Sequence, residues 1–365
     1  MSTRTSDSAI ARSVFIATGI IISAILLAVV VYFTIDVILL IFSAALLAIF
    51  LRGLAIPVAK YLGIGDVWSV LLVSLILMLM LAGAITLLAP SVADQIQNLR
   101  VELPQSAQMV SEYISRFSWG RTLIAQLPSI PEIMAKIDTG SLLTGVGGFF
   151  TSTIGAVGNF FIVVLLAIYF AVEPKLYSNG LAHLFPIGSR RRAEEIFAAI
   201  GETLRWWLIG KVASMIFIAI LTWIGLSILG VPMALTLGLL AGLLSFIPNF
   251  GPIISAIPAI LFAFIQSPIS ALYVSGLYIG VQLIESNIVT PFIERETVEL
   301  PPALTIVFQL ALAVTIGGLG LVLATPLLAV CVVLVQMVYI EDILGDRQTE
   351  LVSPELTGQD ERTDL

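Results

Sequence analysis

One acidic residue lies deep inside an apolar run: Glu285, in "SGLYIGVQLIESNIVTPFIERE" from Ser275 to Glu296. Read as a helix, this run gathers Ser275, Tyr278, Gln282, Glu285 and Ser286 within an arc of about 100°, with Leu277, Val281, Ile284 and Ile288 outside it. A carboxylate at membrane depth must face a cavity, take up a proton or find a partner. Carriage of an ion or proton is the chemistry such a stripe could perform. The plainer alternative is a structural carboxylate bonded to a neighbouring helix or hydrated near the interface. The polarity of the whole stripe favours carriage. Asn287, off the stripe, reads as a helix–helix contact.

A second feature is deliberate interruption. In "GLLSFIPNFGPIISAIPAILFAF", Gly242 to Phe264, the residues Pro248, Asn249, Gly251, Pro252 and Pro258 break an otherwise continuous apolar stretch. The arms on either side, Ala234–Ile247 and Pro252–Ile265, are each about 14 residues, or ~21 Å of helix, against a hydrocarbon core of ~30 Å. Proline removes a backbone donor, so Pro248, Pro252 and Pro258 are each expected to leave unpaired groups. Such backbone persists at membrane depth only when covered by protein or lining a wet cavity. "IPNFGP" is therefore the tip of a re-entrant or tilted hairpin that presents Asn249 to a path, or a tight turn between two short tilted spans; both readings stand. A similar break follows in "TIGGLGLVLATPLLAV", where Gly317, Gly318 and Gly320 precede Pro326. Paired interruptions in a transporter point to its binding and gating region. Pro291 closes the Glu285 run.

Other chemistries lack their residues. "IGKVAS", Ile209–Ser214, has Gly-Lys, but Val212 replaces the hydroxyl residue of a phosphate loop and Arg205 the upstream glycine. There is no cysteine pair, no HExxH and only one histidine, His183, in a polar loop. No metal site, cofactor or enzymatic activity is expected. The single Cys331 excludes an intrachain disulfide.

The elements that must hold these residues are membrane helices. Of 365 residues, 59% are hydrophobic and 11% charged, whereas a soluble domain carries roughly 25% charge. The chain reads as an all-α polytopic membrane protein. Residues 1–89 hold three spans, with Asp36 at the turn between the first two. Residues 90–147 form an extracytoplasmic insertion of amphipathic helices, and 148–172 the fourth span. Residues 173–206 are a cytoplasmic amphipathic segment, 207–340 the C-terminal transport core, and 341–365 an acidic disordered tail. Arg4, Arg12, Arg52, Lys60, Lys175, Arg190, Arg191, Arg192, Arg205 and Lys211 fall on one side and place both termini in the cytoplasm. The net charge of −7 offers nothing for nucleic acid.

The quoted stretches from Phe246, from Val281 and from Gly317, in that order, resemble the three C-terminal signatures of the autoinducer-2 exporter (AI-2E, PerM-like permease) family, and "LRWWLIGK" resembles its entry to the fifth span. By position Pro248, Gly251, Pro252 and Pro258 match the first signature, Gln282, Glu285, Asn287 and Pro291 the second, and Gly320 and Pro326 the third. The resemblance implies a bacterial inner-membrane secondary transporter with about eight spans, with broken helices and a helical extracytoplasmic insertion. It also implies a homo-oligomer, a pentamer in known members. The activities it implies are export of a small polar solute such as autoinducer-2, with H⁺ or Na⁺ as coupling ion, or Na⁺(Li⁺)/H⁺ antiport. From a different class, a non-transporting membrane scaffold would fit the outer helices and the basic segment.

Overall fold

The computed structural model describes residues 4–83, 86, 115–116, 153–289 and 300–346, and these contain helices and turns but no strand. The predicted insertion at 90–147 (apart from two residues), Pro291 and the tail beyond 346 lie outside the described residues.

The first helix, α1, is a single element of 59 residues, Arg4–Leu62. It runs through Asp36, where the sequence predicts a turn. The physical reason is local: Thr34, Ile35 and Asp36 include no proline or glycine, and one aspartate is a weak helix former, not a breaker. Gly63, at φ +66°, ends the helix, its N–H bonded to the carbonyl of Ala59 at 2.9 Å. A left-handed residue just past the last turn is the usual helix stop. Helix α2, Asp66–Gly83, turns back from it.

Helix α3, Thr153–Val172, is followed after Glu173 by α4, Pro174–Ala182, bent 85° away. Pro174 starts α4 at a position where its missing N–H has no consequence. Helix α5, Arg190–Ile228, has 39 residues and joins the predicted amphipathic segment to the predicted fifth span without a break. Helices α6 (Ala234–Leu244), α7 (Phe250–Gln266) and α8 (Pro268–Ile284) follow, then α9 (Pro302–Ile316) and α10 (Gly318–Leu334). Wide π turns extend α8 over Glu285–Val289 and α10 over Val335–Ile343.

Among the described residues, five helices are long and apolar enough to cross a bilayer, or six if the bent pair of α3 and α4 counts as one span. Helices α6, α7 and α9 are shorter apolar elements of 10–17 residues, as the broken runs predict. Large apolar side chains such as Leu79, Phe161, Ile228 and Val314 point outward, an exposure that water would not tolerate over so wide a surface.

The interior is built on small residues. Ala44, Ala48, Ala55, Ala167 and Ala171 let α1 and α3 approach, and Val70 and Val73 of α2 join the same cluster. Helix α6 lies on α5 through Gly238 and Gly242. A β-carbon at Gly238 would stand 2.7 Å from Trp223 Cβ, and one at Gly242 2.6 Å from the Met215 carbonyl. In lipid, where burial of oil against oil gains little, such close backbone approach is a main source of helix association.

The C-terminal extension is tied to α5 by Arg192. Its guanidinium donates to Glu341 Oε2 at 2.7 Å, to the Met337 carbonyl at 2.9 Å and to Asp342 Oδ2 at 3.1 Å. The first residues of the predicted tail, Glu341–Ile343, are thus helical and anchored, because a cation from the "RRR" triplet meets their carboxylates.

Candidate transport site

Glu285 opens the π turn at the end of α8 and is only 8% exposed. A π turn widens the helix by one residue and recurs at functional sites. Its carboxylate is fully engaged. Ser214 Oγ of α5 donates to Oε1 at 2.9 Å, Gln282 Nε2 donates to Oε2 at 3.0 Å, and Lys211 Nζ stands 3.9 Å from Oε1. The side chains of Lys211 and Glu285 are each 11% exposed. Lys211 and Ser214, three apart on α5, share a face, so one helix supplies both the countercharge and a hydroxyl.

Of the two sequence readings, the described contacts are those of a paired carboxylate. Lys211, which the charge pattern places among the cytoplasmic cations, is a partner of Glu285 that periodicity does not reveal. The signal was present, because Lys211 and Glu285 are a lone cation and a lone anion in separate apolar runs.

The rest of the polar stripe divides. Tyr278 is buried, and its hydroxyl donates to the Ser255 carbonyl of α7 at 3.3 Å. Ser286 is exposed and donates to the Gln282 carbonyl at 2.6 Å, and Asn287 likewise folds back onto Leu283. The structure therefore brings together Gln282 and Glu285 with Lys211 and Ser214, but turns Ser286 away.

The turn between α6 and α7 is closed by protein groups. Asn249 has φ +66° and ψ −49°, and the Phe250 N–H bonds the Pro248 carbonyl across it at 2.8 Å. This is a γ-turn of the rare positive-φ kind. Gly251 N–H reaches the Ile247 carbonyl at 3.0 Å, and a methyl at Gly251 would collide with the Leu244 carbonyl oxygen. Asn249 itself is exposed. The expectation that all three prolines strand backbone groups is corrected here. Pro252 sits in the first turn of α7, whose N–H groups have no helical partner in any case. Pro248 lies in the turn, and its carbonyl accepts two bonds. Only Pro258 stands inside a helix.

The second of those two bonds comes from Gln309 in the middle of α9. Its side chain is fully buried and Nε2 donates to the Pro248 carbonyl at 3.3 Å and to Thr325 Oγ1 at 3.4 Å. Thr325 precedes Pro326, which is buried within α10. One amide thus joins the two breaks that the sequence presents separately. Gln309 Oε1 has no partner among the described residues. Gly317 links α9 to α10 at φ +88° and ψ −153°, a conformation open to glycine alone. Gly318 begins α10, and at Gly320 a β-carbon would lie 2.6 Å from the Leu312 carbonyl, so these two helices touch backbone to backbone.

Two cavities open beside α4. One of about 700 Å³ is lined by Arg52, Asp66, Lys175, Asn179 and His183, and one of about 400 Å³ adds Glu194, Glu202 and Arg205. Arg52 borders both; it donates to the Ala171 carbonyl at 3.0 Å and pairs with Asp66 at 3.5 Å. Lys211 lies six residues beyond Arg205 on α5, a rise of about 9 Å. Among the described residues no group of three His, Cys, Asp or Glu side chains could hold a metal ion.

A charge pair buried between two apolar helices is costly in a membrane and marks a candidate functional site. The model of the AI-2E family transporter matches residues 21–340. The chain belongs to that family. Among curated relatives of this AI-2E transporter, "Putative transport protein YueF" of Bacillus subtilis is 26% identical over 72% of this chain and 74% of its own. YrrI of the same organism, carrying the same description, is 26% identical over 84% of this chain and 91% of its own. "AI-2 transport protein TqsA" of Escherichia coli is 24% identical over 77% and 81%.

Proposed function

We propose that this AI-2E family member is a secondary transporter exporting a small polar solute of the autoinducer-2 kind, with H⁺ or Na⁺ as coupling ion. The observation that supports it most is the Lys211–Glu285 pair, held by Ser214 and Gln282 inside apolar helices. A buried pair is poor evidence for stability, since hydrophobic residues would serve as well; a cation that can replace Lys211 on the carboxylate gives it a function. The γ-turn at Asn249, the glycines 317, 318 and 320, and Pro258 and Pro326 are the gating elements in this reading. The protein would sit in a bacterial inner membrane with both termini inside, as an assembly of identical chains.

The same pair favours a second reading, Na⁺(Li⁺)/H⁺ antiport without an organic solute. Proteoliposomes of the full chain separate the two. Solute efflux that builds or uses an ion gradient supports export; Na⁺ or Li⁺ flux driven by ΔpH alone supports antiport. Glu285→Gln is expected to abolish coupled flux in a chain that still assembles but melts lower, because the Lys211 ammonium loses its countercharge. An assembled wild-type protein that moves neither would make a scaffold the better account.

A further inference from the structure

We propose that α4 and the turn after it form an interfacial element, lying in the plane of the membrane with one face in the headgroup–acyl boundary. The helix follows α3, an apolar helix of 20 residues and so the length of a bilayer span, after one residue and bends 85° from it. A span tilted by about 20° then leaves α4 within about 25° of the membrane plane.

Its two faces differ. Lys175, Asn179 and His183 recur every four residues and line the cavity that also holds Arg52 and Asp66. Tyr177, Leu181 and Leu184 lie opposite, with Leu181 52% and Leu184 80% exposed, and Ile187 beyond them 83% exposed. The helical turn persists to Leu184, whose N–H bonds the Leu181 carbonyl at 3.1 Å.

The direction of the apolar face follows from one contact. Tyr177 packs edge-on against Phe170 in the last turn of α3, ring centroids 4.7 Å apart. Because α3 runs into the membrane from that end, a face of α4 that touches Phe170 is turned toward the bilayer. It is continuous with the exposed apolar surface of α3 at Phe161, Leu165 and Tyr169. An amphipathic helix so placed buries its apolar side about 5–10 Å into the boundary. The occupant of this face is lipid. In this position α4 holds the polar cavity at the level of the headgroups, whichever solute the protein moves.

Single-cysteine labelling of the full chain in lipid nanodiscs tests this. On a Cys331→Ser background, fluorophores at Leu181→Cys and Leu184→Cys are compared with one at Lys175→Cys, all three required to elute as the wild type does. Nitroxide lipids should quench the first two several-fold more than the third, and nitroxides placed high on the acyl chain more than those placed deep. Equal quenching at the three sites would overturn the proposal. So would labels at 181 and 184 shielded from water yet unquenched by lipid, or cross-linked between copies, because the face would then be covered by protein.

Discussion

Lys211 on α5 and Glu285 at the end of α8 are 74 residues apart in the chain, yet their charged atoms stand 3.9 Å apart. The nearer bonds to the carboxylate come from neutral donors, Ser214 at 2.9 Å and Gln282 at 3.0 Å. Lys211 is thus the loosest of the three ligands to Glu285. Neutral donors bind the carboxylate independently of Lys211, which is what the proposed exchange of Lys211 for a transported cation requires.

This arrangement separates single from double substitutions. Lys211→Met leaves a carboxylate buried without countercharge, and Glu285→Leu leaves a buried ammonium. Each should lower stability by about 3–5 kcal/mol, whereas the double variant should return to near wild type or above it. Thermal unfolding in detergent reads the cycle. If the two single losses simply add in the double variant, the residues are not energetically paired. Coupled transport should be lost in all three, because stability restored by apolar residues does not restore exchange.

The tip between α6 and α7 makes a second prediction. Asn249 holds φ +66°, which a residue with a β-carbon adopts only under strain. Asn249→Gly removes that strain and should be neutral or stabilising by about 1 kcal/mol, while Asn249→Ala keeps the β-carbon and should melt below the glycine variant. Gly251→Ala drives a methyl into the Leu244 carbonyl and should be the most damaging of the three, about 1–3 kcal/mol or more. Equal melting of the alanine and glycine variants at 249 would show that the turn relaxes out of the γ conformation in solution.

How far the sequence disclosed this depended on whether the signal was local. Proline and glycine act within a turn, so the break between α6 and α7 and the joint at Gly317 could be placed to within a few residues. The turn placed at Asp36 failed for the converse reason: no residue there acts on the backbone, and α1 runs on. Lys211 and Gln309 depend on partners 74 and 61 residues away, and periodicity carries no information about what a polar side chain meets across helices. Charge counting also worked against Lys211, since the rule that orients spans treats every lysine as belonging to a loop. Glu285 was legible because a carboxylate in an apolar run is expensive wherever its partner lies.

Gln309 supports the last prediction, in which stability and motion come apart. Its amide nitrogen makes two long bonds, 3.3 Å to the Pro248 carbonyl and 3.4 Å to Thr325 Oγ1, while its oxygen is buried without a partner among the described residues. Gln309→Leu removes both bonds but also removes the unpaired oxygen. Long bonds contribute little and an unmet acceptor is unfavourable, so the net change should stay within about 1 kcal/mol. What is lost is the link between the α6–α7 turn and α10, leaving the Pro248 carbonyl with only its γ-turn bond from Phe250. Hydrogen exchange should therefore quicken at Phe246, Ile247, Phe250 and Gly251 with little shift in melting temperature, and Thr325→Val should leave those amides nearly unchanged because it spares the Pro248 bond. Transport by Gln309→Leu should lose coupling rather than binding: solute still moves, but less strictly with its ion. If exchange at the turn were unaltered in Gln309→Leu, the two breaks would not communicate through α9, and the gate would have to lie at only one of them.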